Sequence, residues 1–82
     1  MNKGWILFHL REAQEELTRT IAEIEAAEYV DEIEFETATA HMYNHLNTAW
    51  NARAVTHEQI AGESDDDSYR WRAFPADILM GR

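Results

Sequence analysis

Between Gly4 and Gly62 the chain carries neither glycine nor proline, so the strongest breakers of regular structure are missing from most of its length. Across residues 5–28 the apolar positions Leu10, Ala13, Leu17, Ile21 and Ile24 fall three or four apart, the spacing of one helical face. Glu15 and Arg19 add an i,i+4 pair in the favourable order. A helix over this span is about 36 Å long. The pattern then stops. The row Leu10, Leu17, Ile24 leads by sevens to Asp31, and the row Ala13, Thr20, Ala27 leads to Glu34. Carboxylates on an apolar line argue against one continuous helix, while Asp31 followed by Glu34 makes an N-cap with an acidic first turn. The sequence predicts a turn near residues 28–32.

A second helix is predicted from about residue 32 to 53, with Phe35, Ala38, Met42, Leu46 and Ala49 as its inward stripe. The alternation in "EIEFET" would also suit a short strand. A short connection makes the two helices antiparallel neighbours. Thr56 and Gln59 form a capping box for a short third helix over 57–61 that stops at Gly62. "ESDDDS" is expected to be an exposed acidic loop. The remaining "YRWRAFPADILM" is rich in apolar and aromatic residues, so the tail of residues 63–82 should fold back onto the helices and largely bury Tyr69, Trp71, Phe74 and Ile78. The expected fold is all-α: one small domain, residues 1–82, built as an antiparallel helical hairpin with a short third helix and a docked C-terminal tail.

Residues 37–52 contain no Asp, Glu, Lys or Arg, and this changes the picture. A solvated helix face is normally charged, and asparagine is a mediocre helix former. Yet Asn44, Asn47 and Asn51 lie opposite Phe35. The second helix should therefore be covered on more than one side, by the first helix and by either the tail or a second copy. The run "WILF" at 5–8 cannot all face one neighbour either. Both features predict a homodimer in the form of a four-helix bundle. Trp5, Phe8, Tyr43, Asn47, Trp50 and Trp71 are the candidate interaction residues.

Composition narrows the function classes. With 45% hydrophobic and 28% charged residues the chain is globular. It has no cysteine, which excludes disulfides and thiolate chemistry. A net charge of −9 argues against binding nucleic acid or an anionic membrane and leaves a basic protein partner or a cation open. The N-terminal apolar run is broken by His9 and ends at Leu10, too short for a signal peptide. No stretch approaches a membrane span of ~20 apolar residues. A soluble, cytoplasmic protein is expected.

Candidate chemistry is sparse. His41 and His45 are four apart on one helical face, a spacing that helical metal sites use. In an antiparallel hairpin Glu16 and Glu23 are the carboxylates of the first helix nearest to them. These four residues form the candidate divalent-metal set. The plainer reading needs no cofactor: half-buried histidines bonded to neighbouring hydroxyls or amides. Glu12, Glu15, Glu28 and Asp31 spell E-x-x-E, twelve residues, then E-x-x-D. This resembles the four-carboxylate magnesium pattern of the all-α nucleotide pyrophosphohydrolases. That family places the pairs on separate, facing helices; here nothing breaks the helix between Leu17 and Ala27, so Glu12 and Glu28 fall about 24 Å apart along one axis. The "DDD" at 65–67 lacks the glycine and closing glutamate of a calcium loop. No nucleophile motif or phosphate loop is present. The sequence points to a small acidic helical protein acting by self-association and protein–protein interaction, without evident catalytic activity. The alternative is a metal- or small-ligand-binding helical bundle, extending to a metal-dependent hydrolase. An acidic mimic of nucleic acid has only the charge behind it.

Overall fold

The computed structural model describes residues 1–79. Its elements are all helical: α1 (Lys3–Ala26), α2 (Glu32–Asn51), α3 (His57–Ala61) and α4 (Asp65–Arg72). The segment "EIEFET" is helical, and no strand occurs among the described residues.

Helix α1 begins two residues before the predicted start because Asn2 caps it, accepting a hydrogen bond from the Trp5 amide at 3.1 Å. Asn2 has a second task. Its backbone amide donates to the Arg53 carbonyl (2.6 Å) and its side-chain amide donates to the Val55 carbonyl (2.8 Å). These bonds tie the start of α1 to the chain just beyond α2. The other end of the hairpin is the short link of residues 27–31, which closes on Asp31. The Asp31 carboxylate accepts from the Glu34 amide at 3.0 Å, and Glu32 and Glu34 occupy the first turn, where negative charge meets the positive end of the helix dipole.

The seam between α1 and α2 is built from small and polar side chains. His9, Ala13 and Thr20 are the buried residues of α1, and Asn47, Thr48 and Ala49 those of α2. Small residues let the backbones approach closely, and this rotates α1. On a helix of 3.6 residues per turn, the stripe Leu10–Leu17–Ile21 lies about 80° from the His9–Ala13–Thr20 line. The stripe expected to face inward therefore looks partly outward. The hydrophobic core is correspondingly thin. Ala13, Ala49, Ala52 and Val55 are its buried members, and no large side chain among the described residues is fully buried.

The third helix occupies the predicted span, and both halves of the Thr56–Gln59 capping box are formed. The acidic segment after it is a correction: "DDD" is the first turn of α4, not a loop. Ser64 accepts from the Asp67 amide, and the Asp67 carboxylate accepts from the Ser64 amide. Three aspartates open this helix and Arg70 and Arg72 close it, matching its dipole at both ends. Helix α4 packs on α2, so the tail does dock, though chiefly through backbone and Trp71. Phe74 remains 71% exposed and Tyr69 is also exposed, against the expectation that the tail aromatics are buried. Of the predicted tail, residues 80–82 lie outside the described residues.

Candidate functional site

The hairpin presents two unlike faces. One face of α2 is partly covered by α4. The Asn47 side-chain amide donates to the Arg72 carbonyl at 2.9 Å. That of Asn51 donates to the carbonyls of Trp71 (2.8 Å) and Ala73 (2.6 Å). The last carbonyls of a helix have no partner within it, and here two asparagines of α2 supply one. This accounts for uncharged polar residues where a solvated helix would carry Glu or Lys. Further along, the Trp50 indole donates to the Asp77 carboxylate at 2.9 Å, and that bond lowers the Asp77 pKa. The Arg53 guanidinium lies 4.0 Å over the Trp50 ring. Tyr43 packs against Phe74 with ring centroids 5.0 Å apart. Trp5 stacks on Phe8 and meets Trp71 edge-on. Each of the six residues singled out for interaction thus has a role inside the chain.

The other face is apolar and open. Leu10, Leu17 and Leu46 are 42%, 49% and 45% exposed. One groove runs between Leu7, Leu10 and Leu17 of α1 and Met42 and Leu46 of α2. A second continues it past Ile6, Ala49 and Trp50, with Leu10 and Leu46 shared by both. The chain has 16 carboxylate residues, and none lines either groove. Arg11 and Arg53 are the charged groups at their edges.

Across the hairpin from that face is a polar groove lined by Glu12, Glu16, Arg19, His41 and His45. It brings together three of the four candidate metal ligands. Glu16 and His41 approach to 3.9 Å, while Glu16 is also bonded to Arg19 at 2.6 Å. The fourth, Glu23, lines a different hollow at the hairpin turn. His45 turns to a residue not among the candidates, His9, with the two Nδ1 atoms 2.9 Å apart. That separation is within hydrogen-bond range; two nitrogens bound tetrahedrally at 2.0–2.1 Å from zinc would stand about 3.3 Å apart. One ring donates and the other accepts. Among the described residues no three His, Asp or Glu side chains form a set able to hold a metal ion.

His9 is the residue that sequence reasoning passed over. It is 9% exposed, lies edge-on to Trp5 and Phe8, and its Nε2 has no hydrogen-bond partner among the described residues. Burial first, and the neighbouring His45 second, lower its pKa to about 4. Its one signal in the sequence was that it interrupts an apolar run. The E-x-x-E and E-x-x-D pairs do not converge: Glu12 and Glu15 are on α1, and Glu28 and Asp31 flank the hairpin turn. Among the described residues no helix is long and apolar enough to cross a membrane. No protein-family model, curated protein or solved structure matches this chain.

Proposed function

We propose that this chain is a non-enzymatic helical module that acts by self-association, as a homodimeric four-helix bundle, and through it by protein–protein contact. The observation that carries the reading is the open, carboxylate-free face around Leu10, Leu17 and Leu46, set beside a core whose buried hydrophobics, among the described residues, are three alanines and Val55. The face measures roughly 25 Å by 20 Å, or on the order of 500 Å² in projection. That is near the upper end of the patches monomers leave open and approaches the ~800 Å² per partner of a standard interface. Covering it would supply the core that one hairpin lacks. A net charge of −9 sets two copies against each other everywhere except across a face free of carboxylates. The same charge, carried on the remaining surface, suits a basic protein as a further partner.

Sedimentation at micromolar concentration tests the reading. The wild type is expected at twice the 9.6 kDa chain mass, and Leu17→Glu, which sets a carboxylate on the open face, at the chain mass with its helicity kept. A monomeric wild type with a cooperative thermal transition would overturn the proposal. The alternative of a metal- or small-ligand-binding bundle has the approach of Glu16 and His41 in its favour. Equilibration of the purified protein with zinc, followed by metal analysis after desalting, tests it: retention of about one ion per chain, lost in His41→Ala, would favour that reading.

A further inference from the structure

The open face is part of a longer repeat on α1 that runs on to Ile24, which lines the hollow at the hairpin turn beside Glu23 and Glu28. Leu7, Gln14 and Ile21 fall seven apart, as do Leu10, Leu17 and Ile24 three residues on. This is the a/d pattern of a coiled-coil seam over three heptads, with one polar residue, Gln14, of the kind that fixes register. The positions flanking the seam differ on its two sides. On the side toward α2 stand Ala13 and Thr20, both buried. On the outer side stand Arg11, Thr18 and Glu25, all exposed. Neither Arg11 nor Glu25 takes part in an ion pair among the described residues.

We propose that α1 packs antiparallel against α1 of a second copy, with Leu7 opposite the second copy's Ile24, Leu10 opposite its Ile21, and Gln14 opposite its Leu17. This inference rests on the self-association reading and names the surface and register it uses. The register is the one that pairs every seam position of all three heptads. It also brings the outer flanks together, so that Arg11 of each copy meets Glu25 of the other and Thr18 meets Thr18 near the two-fold axis. Charge complementarity is therefore satisfied twice by symmetry. The α2 sides of the two copies fall on the same flank. Met42, which borders the groove from α2, then lies near its counterpart at the two-fold axis, and Leu46 lies opposite the second copy's Phe35, completing a four-helix bundle in which adjacent helices are antiparallel. A parallel pairing sets the outer flank of one copy against the α2 side of the other. Arg11 would then face the second copy's Ile6 and find no carboxylate, and Glu25 would face its Thr20, a position already covered by α2.

Charge exchange between two variants tests the register. Arg11→Glu and Glu25→Arg each make both symmetric contacts repulsive. Each is expected to weaken self-association about tenfold, because two exposed contacts turn from attractive to repulsive at once. Mixed together, the two variants regain attraction at both contacts. They should form a heterodimer close to wild-type affinity, read by native mass spectrometry and sedimentation, as should the Arg11→Glu/Glu25→Arg double variant with itself. Both positions are exposed, and circular dichroism of each variant checks that helicity is kept. If the wild type is dimeric but the single variants dimerise equally well, or the mixture shows no preference for the heterodimer, the α1 register is wrong and self-association stands. If the wild type is monomeric, the self-association reading falls and this inference with it.

Discussion

The two sides of the hairpin make opposite use of their side chains. The α2–α4 side is hydrogen-bonded within the chain: Asn47 and Asn51 hold the carbonyl end of α4, so the uncharged helix finds polar partners there, while Tyr43, Tyr69 and Phe74 stay exposed at its margin. The outer α1 side is apolar and open, with Leu10 and Leu17 about half exposed. The absence of charge in residues 37–52 was the more conspicuous pattern in the sequence, yet it is answered within the chain. The ordinary heptad of α1 is the surface left over. Unusual composition marks where the chain must satisfy itself; unspent apolar area marks where it must look outward.

The largest expected effect comes from removing the closed side. Truncation after Gly62 deletes α4, strips Trp71 from Trp5, and leaves Asn47 and Asn51 without their carbonyls. We expect a loss of roughly 3 kcal/mol or more, on the scale of one large buried side chain with its associated hydrogen bonds, read by urea denaturation. An unchanged midpoint would mean that α4 contributes nothing to the closed side.

A smaller effect is expected at the seam between the two sides. His9 has a pKa lowered to about 4 from the ordinary 6.5, so the unfolded chain takes up the proton first as pH falls. The stability that His9 contributes is complete above pH 6.5 and is lost progressively toward pH 4. On the order of 2 kcal/mol should disappear between pH 7.5 and pH 5. Net charge predicts the opposite sign, because a chain at −9 with an isoelectric point near 4.7 relieves self-repulsion on acidification. Thermal unfolding of wild type and His9→Phe across this range separates the two. A wild type that gains stability toward pH 5, or a His9→Phe curve parallel to it, would contradict the account of the histidine pair.

The smallest effect sharpens the description of α4. Ser64→Ala removes the cap that opens this helix and should cost about 1 kcal/mol. Amide exchange should accelerate at Asp67 and Ser68, while α1 keeps its protection. Faster exchange throughout α1 would show that the two sides are one cooperative unit.

Much of this architecture was legible from residue pattern. The turn followed from Asp31 and Glu34 falling on the two apolar rows, and α3 from the Thr56–Gln59 box. Helix α1 starts two residues before its apolar pattern because Asn2 caps from outside it, and it ends two residues early, at Ala26, where the Ala27 backbone turns extended. Helix α4 was missed although Ser64, Asp67, Arg70 and Pro75 are its start and stop signals; three adjacent aspartates looked like solvated charge rather than a first turn. The rotation of α1 was not readable, since it depends on which of two adjacent stripes, large or small, α2 approaches. For the same reason His9 was overlooked: its partner His45 lies 36 residues away, and only the rotated seam brings them together. Of the candidate metal residues, Glu16, His41 and His45 share a groove because the antiparallel register was right, whereas Glu23 points to the hairpin turn.

Solvent accessibility of the α1 methyl groups in solution tests the central claim most directly. In methyl-labelled protein with a soluble gadolinium relaxation agent, Ile33 serves as an internal standard, being 77% exposed near the start of α2. Coverage by a second copy predicts that the Leu10, Leu17, Ile21 and Ile24 methyls are strongly shielded relative to Ile33 at micromolar concentration, and that Leu17→Glu restores relaxation at the other three. Wild-type Leu10, Ile21 and Ile24 methyls relaxing as fast as the same methyls in Leu17→Glu would show the face open to water and contradict the account.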